Sequence, residues 1–407
     1  MSKNKKNNRN KPNIENENNK NFVTLNFGPA HPAMHGILQN IIKLDGEKIV
    51  DVDSTIGFVH RGIEKLAEHR SYNQFIPLAD RLNYCSSPIN TIGWQIAVEK
   101  MLGLEIPKRI QYLRIIIMEL SRIIDHLICT SIMGVDVGGL TGFLYIYQER
   151  ENVYDIFEKM TGGRMHPAIG RVGGFEHDIY PDFKKDVLHF TKNFHKLYND
   201  FTGLFNRNRI FMDRTMNVGV ISQEDAIDYG FTGPNLRATG VNYDVRKANP
   251  YCSYEEFDFE VPLGKNGDVY DRFTVRNEEM LQSISIINQA IEKLPDEGPY
   301  KVDAPEISLP DKKDVYTKME SMIHHFKHVT EGIKPAPQEA YFPVEGGNGE
   351  LGFYTVSDGE MNPYRLHLRR PCFIFYQALP KMITGSFIAD AVATISSLNI
   401  IAGELDA

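Results

Sequence analysis

The chain has 407 residues, 42% hydrophobic and 24% charged, with a formal net charge of -8. That composition fits a soluble globular protein with ample core, in one large domain or two to three smaller ones, and the negative balance argues against nucleic acid as a main partner. Cys85, Cys129, Cys252 and Cys372 stand far apart with no Cys-x-x-Cys pair, so iron–sulfur, zinc and dithiol spacings are missing and a reducing compartment without disulfides is expected. No run reaches the roughly eighteen apolar residues of a membrane span. The best candidate, 115–132, is broken by Glu119, Arg122, Asp125 and His126.

Residues 1–20 are rich in Asn and Lys with no apolar segment, which reads as a disordered tail without a signal peptide. Residues 21–53 form an N-terminal β region. Val23-Thr24-Leu25-Asn26-Phe27 and Ile37-Leu38-Gln39-Asn40-Ile41 alternate with the period of half-buried strands, and Asp45-Gly46 is a hairpin turn. Between those strands runs Gly28-Pro29-Ala30-His31-Pro32-Ala33-Met34-His35-Gly36. Its prolines bar a helix interior and its glycines permit tight turns. The loop therefore presents His31 and His35 from stiff backbone, and imidazole is the side chain whose proton moves near neutral pH. Turn histidines with satisfied hydrogen bonds are the alternative.

A mainly helical body spans 54–338, with a loop-rich insert around 210–275. It opens on Ile56-Gly57-Phe58-Val59-His60-Arg61-Gly62, a loop leading into a helix. Its clearest helix is 107–133. Ile110, Leu113, Ile117, Leu120, Ile124 and Leu127 recur at steps of three and four, with Arg109, Arg114, Glu119 and Arg122 on an expected solvated face. Further helices are expected after Gly138-Gly139-Leu140-Thr141 (carrying Gln148-Glu149-Arg150-Glu151), over 182–205, over 277–294 and over 315–329. The C-terminal region, 339–407, reads as strands to about 377 and a terminal helix over 385–398. No internal repeat is present. The fold class is α+β, a large helical body with small antiparallel sheets from both ends of the chain.

Gly347-Asn348-Gly349-Glu350-Leu351-Gly352 fits the dinucleotide-binding glycine pattern, but Phe353-Tyr354-Thr355-Val356 continues as a strand. That motif must open a helix, so a glycine-rich hairpin is expected. His324, His325 and His328 share a helix without the glutamate of a zinc-protease motif, and a solvated face is the simpler reading. Tyr84, in Asp80-Arg81-Leu82-Asn83-Tyr84-Cys85, gains meaning beside the histidine loop. A phenol and an imidazole can each donate to one carbonyl of a quinone, and Asp136 could orient a histidine and raise its pKa. A core tyrosine and a helix-end cap are the plainer alternatives.

Together these stretches resemble the D subunit of respiratory complex I, related to the large subunit of nickel-iron hydrogenases. The likeness runs from about Phe22 onward. It is carried by 28–36, Phe58-Val59-His60-Arg61-Gly62, Arg164-Met165-His166-Pro167, 240–247 and Val261-Pro262-Leu263-Gly264. The resemblance implies a subunit of proton-translocating NADH:quinone oxidoreductase, with a fold like that of the hydrogenase subunit. His35 and Tyr84 would hold the quinone and Asp136 would pair with the histidine. His31 and Met34 would wall the site. Arg61 and His166 would lie beside a 4Fe-4S cluster held by a partner, the iron–sulfur B subunit. The C subunit and the membrane subunit at the quinone channel are the other implied partners, and NAD would bind elsewhere in the complex. The implied location is the cytoplasmic face of the bacterial inner membrane, peripherally. No metal is expected on this chain. It departs from the family at Met34 (usually smaller or threonine), Asn83 (commonly aspartate) and Ala407 (where many members end in arginine). The rivals are a nickel-free hydrogenase-like subunit using another electron donor and a structural scaffold. A nickel-iron site itself is ruled out because its two Cys-x-x-Cys pairs are missing.

Overall fold

The structure, a computed structural model, describes residues 22–34 and 36–407. The expected tail and His35 lie outside the described residues. The N-terminal strands form one antiparallel sheet in the order Val23–Phe27, Gln39–Asp45, Lys48–Thr55. Phe27 pairs with Asn40, and Asp45 with Lys48 across the expected hairpin. Alternation works as read: Ile42, Leu44, Ile49 and Val52 point inward, while Lys43 and Asp51 pair outside. The inner face buries against Phe375, Leu379 and Ile383 of the Pro371–Ile383 helix and against Ile395 and Leu398 of the Ile388–Leu398 helix. The two ends of the chain thus share one core.

The body is built on Ser87–Leu102, Lys108–Asp136, Leu140–Thr161, Phe183–Phe205 and Val269–Lys293. The long Lys108–Asp136 helix packs along Val269–Lys293, and its apolar stripe is buried as the periodicity requires. Each such buried Ile or Leu stabilises the fold by roughly 1.5–3 kcal/mol. Its other face is not solvated: Arg109, Arg114, Glu119 and Arg122 are all buried. Arg114 makes a two-pronged pair with Glu99 at 2.6 Å, and Arg122 pairs with Glu119 at 3.2 Å. Polar residues between apolar ones read as surface until their partners, distant in sequence, are in view.

Three further boundaries differ from the expectation. The Val269–Lys293 helix starts eight residues before 277, because Asp268 caps it by accepting the Asp271 N–H at 2.8 Å. Strand structure ends with Arg369; the aromatic stretch after Pro371 is helical, with proline in its first turn. The expected 315–329 helix is two, Lys312–Thr317 and Met319–Thr330, neither with a buried residue. The glycine-rich hairpin stands: Gln338–Glu345 and Glu350–Ser357 run antiparallel, and Arg365–Arg369 completes the sheet. His324, His325 and His328 lie on the unburied Met319–Thr330 helix, where His328 bonds the Pro305 carbonyl at 2.9 Å.

Candidate functional site

Tyr84 sits in the turn between the short Ile76–Ala79 helix and the Ser87–Leu102 helix. Asn83 builds that turn. Its Oδ1 accepts the Cys85 and Ser86 N–H groups at 3.1 and 3.4 Å, and its Nδ2 donates to Asp125 Oδ2 at 3.0 Å. Asn90 Nδ2 donates to the Asn83 carbonyl at 2.9 Å. From the other side the Ala402–Leu405 helix closes in, with Gly403 stacked on the Arg81 and Leu82 carbonyls. These contacts turn the Tyr84 ring outward, leaving it 37% exposed. Burial of the surrounding site pushes its pKa up to about 12, so the phenol is a proton-bearing donor at every physiological pH.

The exposed ring faces a cavity of about 340 Å³. Ala33, Ile37 and Leu38 of the N-terminal loop form one wall. Ile128, Cys129 and Ile132 of the long helix form another, and Ile395, Asn399 and Ile401 a third. Tyr147, Arg150 and Tyr154 come from the Leu140–Thr161 helix, and Met165 from the loop after it. The lining is mainly apolar with a few polar groups, as in small-molecule sites. Burial pushes the Cys85 thiol pKa well up and that of Cys129 to about 11, so neither is a ready nucleophile.

The predicted residues fall into two groups. Tyr84 lines the cavity, and so do Ala33 and Ile37, which bracket position 35 in sequence. Asp136 ends the long helix, half-buried, one turn beyond the cavity residue Ile132. Gly28 holds the loop in place at φ +101°. A Cβ there would stand 2.1 Å from the Leu38 carbonyl oxygen, so only glycine fits. Two residues expected on the wall stand elsewhere. Met34 is fully buried in the core beneath the loop, its sulfur 3.5 Å from Asn40 Nδ2. His31 is exposed. Its ring packs on Phe27 at 4.4 Å, and its Nδ1 accepts the Ala33 N–H at 3.2 Å. Neither lines the cavity.

Arg61 is exposed and close enough to Tyr84 for their charges to interact, and His166 is half-buried beside Asp80. Arg61 donates to the Arg81 and Gly403 carbonyls, both at 3.0 Å, and burial together with Arg81 lowers its pKa. The loop before it is pinned by Asp406, which accepts the Gly57 and Val59 N–H groups at 3.0 Å. His166 Nδ1 lies 3.8 Å from Asp80 Oδ2. Burial raises the pKa of Asp80, opposed by the nearby Ser87 hydroxyl and by the charges of His166 and Arg81.

Behind the cavity lies a charged cluster that no local sequence pattern assembles. Glu119, Asp244, Glu279 and Glu345 meet Arg122, Arg237 and Arg246, all at most 1% exposed apart from Asp244 at 2%. Arg246 reaches Asp244 at 2.7 Å, Glu279 at 3.0 Å and Glu119 at 3.1 Å. Arg237 bonds Glu279 and Glu345, both at 2.8 Å. The carboxylates of Asp244, Glu279 and Glu345 are close enough together to suit a metal ion, but guanidinium groups already neutralise them. His126, whose pKa burial lowers, bonds Glu279 at 2.9 Å. The only sequence signal was the pairing of arginine and glutamate on the apolar long helix.

A family model for the 49 kDa subunit of respiratory-chain NADH dehydrogenase matches residues 136–407. The D subunit of the NADH-quinone oxidoreductase of Flavobacterium johnsoniae is 57% identical over 392 residues, covering 96% of this chain and 95% of that one. The second D subunit of Cytophaga hutchinsonii is 56% identical over 391 residues, covering 96% of this chain and 100% of that one. The C/D subunit of Bdellovibrio bacteriovorus is 49% identical over 385 residues, covering 95% of this chain and 69% of that one. The chain belongs to the respiratory-chain NADH dehydrogenase 49 kDa family. It is a D-type subunit of an NADH-quinone oxidoreductase, and the rival reading with a different electron donor is not favoured. Among the described residues no helix is long and apolar enough to cross a membrane.

Proposed function

We propose that the cavity beside Tyr84 receives the quinone head group and that this chain forms the quinone-reduction site of its complex. The observation that carries the reading is the Tyr84 ring exposed to a mainly apolar cavity whose loop wall brackets position 35. Tyr84 donates to one quinone oxygen and His35 to the other, with Asp136 as the partner of His35. The overall conversion takes NADH, a proton and a quinone to NAD⁺ and a quinol. Two electrons enter the ring and its two oxygens each gain a proton. Preplaced donors stabilise the negative charge that reduction puts on those oxygens and then pass on protons. Loss of the Tyr84 proton leaves an anion that the site disfavours, so reprotonation follows.

The electrons come from a 4Fe-4S cluster carried by an iron–sulfur partner, the B subunit, which seats against Arg61 and His166. The C subunit is a further partner, supported by the C/D name of the Bdellovibrio relative. The membrane subunit at the quinone channel completes the site, and the chain sits peripherally on the cytoplasmic face of the inner membrane. Proton loss from His35 would leave the Asp136 charge unbalanced, and that imbalance would drive rearrangement toward the proton-pumping subunits. The test is Tyr84→Phe in the assembled complex. NADH:quinone activity should fall on the order of a hundredfold, while NADH oxidation by an artificial upstream acceptor stays near wild type. Normal quinone turnover would remove Tyr84 from the reaction.

A further inference from the structure

The Leu140–Thr161 helix presents Tyr147, Arg150 and Tyr154 to the cavity from one face, at steps of three and four. Arg150 is the one side chain with a permanent formal charge among the described lining residues. It is tightly held. Its guanidinium carbon lies 3.9 Å from the Tyr147 ring centre and 5.2 Å from that of Tyr154, and its side chain is only 15% exposed. An arginine sandwiched between aromatic faces keeps its position at little further entropic cost.

Its bonded carboxylate is a shared one. Arg150 donates to Glu151 Oε1 at 2.9 Å, but Glu151 also binds Arg164, whose Nε donates to Oε2 at 3.1 Å. Arg164 in turn lies over the Tyr154 ring, 5.1 Å from its centre. Two guanidinium groups share the Glu151 carboxylate, and Glu158 acts on Arg164 alone, so Arg150 has no carboxylate to itself. Glu151 is the more exposed partner, at 39% against 15% for Arg150, so water screens the carboxylate more than the cation. Other titratable groups on this wall, Tyr84, Cys85, Cys129, Tyr147 and Tyr154, all have raised pKa values, chiefly from burial, and are neutral near pH 7.

We propose that Arg150 is the cationic wall of this cavity, favouring a negatively charged ring oxygen over a neutral carbonyl. The inference rests on the quinone-site reading and deepens it. As two electrons enter the ring, charge grows on its oxygens before both are protonated, and a cation held in a poorly solvated wall stabilises that charge more strongly than one in water. Arg150 neither gains nor loses a proton. It acts through its field and its N–H groups, and it gives the cavity a selectivity for anionic hydroxyquinones over neutral quinones of the same size.

The test compares two probes on the purified complex without NADH, by equilibrium dialysis: 1,4-naphthoquinone, neutral, and 2-hydroxy-1,4-naphthoquinone, an anion at pH 7. Arg150→Gln should weaken binding of the anion about tenfold and change the neutral probe by less than about twofold. Arg150→Lys, which keeps the charge, should retain most of the anion affinity, while its NADH:quinone kcat falls less than that of the Gln variant. Equal loss of both probes would reduce Arg150 to a packing residue and overturn the proposal, and so would no loss of either. If Tyr84→Phe abolishes quinone turnover while Arg150→Gln is silent, only this inference fails. If neither probe binds the wild-type complex and Tyr84→Phe is fully active, the quinone-site reading fails with it.

Discussion

A methyl group at position 403 would stand 2.6 Å from both the Arg81 and Leu82 carbonyl oxygens and 3.1 Å from Tyr84 Cδ1. Two of those three atoms are backbone, so they cannot swing aside and the turn itself must shift. Gly403→Ala should therefore move the Tyr84 ring and cut quinone reductase activity several-fold, at a stability cost of about 1–3 kcal/mol. Activity with an artificial upstream acceptor should hold. The check is the ratio of the two activities in isolated membranes, and an unchanged ratio would mean the turn absorbs the methyl without disturbing Tyr84. In the sequence Tyr84 draws notice only beside the histidine loop, because a lone tyrosine near a helix start carries no chemistry by itself; the structure puts its ring at a cavity. Met34 draws notice through its neighbours alone. It stands in the loop that matters, yet its apolar side chain packs under that loop into the core.

The elements most easily read were those whose pattern is local. The N-terminal hairpin, the glycine-rich hairpin and the stripe of the long helix each follow from neighbours within a few residues. The first half of the Pro371–Ile383 helix, 371–377, was read as strand because its aromatic residues favour pleated surfaces, and only packing against the distant N-terminal sheet decides it. The terminal Ala402–Leu405 helix carries a consequence of such long-range packing. Glu404, 2% exposed, accepts the Cys372 N–H at 2.8 Å, and burial raises its pKa from 4.5 to about 7. Between pH 4.5 and 7 the folded chain keeps a proton there that the unfolded chain has lost. Stability therefore falls as pH rises through that window and levels off above it, by about 3 kcal/mol in all. Glu404→Gln keeps the acceptor oxygen and removes the titration. Thermal melting of the purified chain between pH 4.5 and 8 should show a flatter profile for the variant, with its largest gain over wild type at the alkaline end. Parallel profiles would mean that Glu404 is ionised throughout.

Buried charges join distant parts of the chain at the centre of the molecule, which is why that centre was the least legible part. The cluster behind the cavity joins the long helix (Glu119, Arg122), the loop-rich insert (Arg237, Asp244, Arg246), the Val269–Lys293 helix (Glu279) and the C-terminal sheet (Glu345). No window of sequence contains more than a fragment of it. Four carboxyl groups face three arginines there, and burial together with the neighbouring Asp244 raises the pKa of Glu345. Such a cluster contributes little net stability when complete, since desolvation offsets attraction, but removing one member leaves a buried charge without its counter-ion. Arg246 holds the centre, bonding Asp244, Glu119 and Glu279. Arg246→Met should therefore cost about 3–5 kcal/mol in urea unfolding of the purified chain. By contrast, Lys43→Met, which breaks the exposed 2.8 Å pair with Asp51, should leave the midpoint unchanged. A second variant separates charge from packing. Arg246→Lys keeps a cation but cannot span three carboxylates, and it should recover only part of the loss. If Arg246→Met unfolds at the wild-type urea concentration, water or a rearranged neighbour must neutralise those carboxylates, and the cluster is not what joins the four elements.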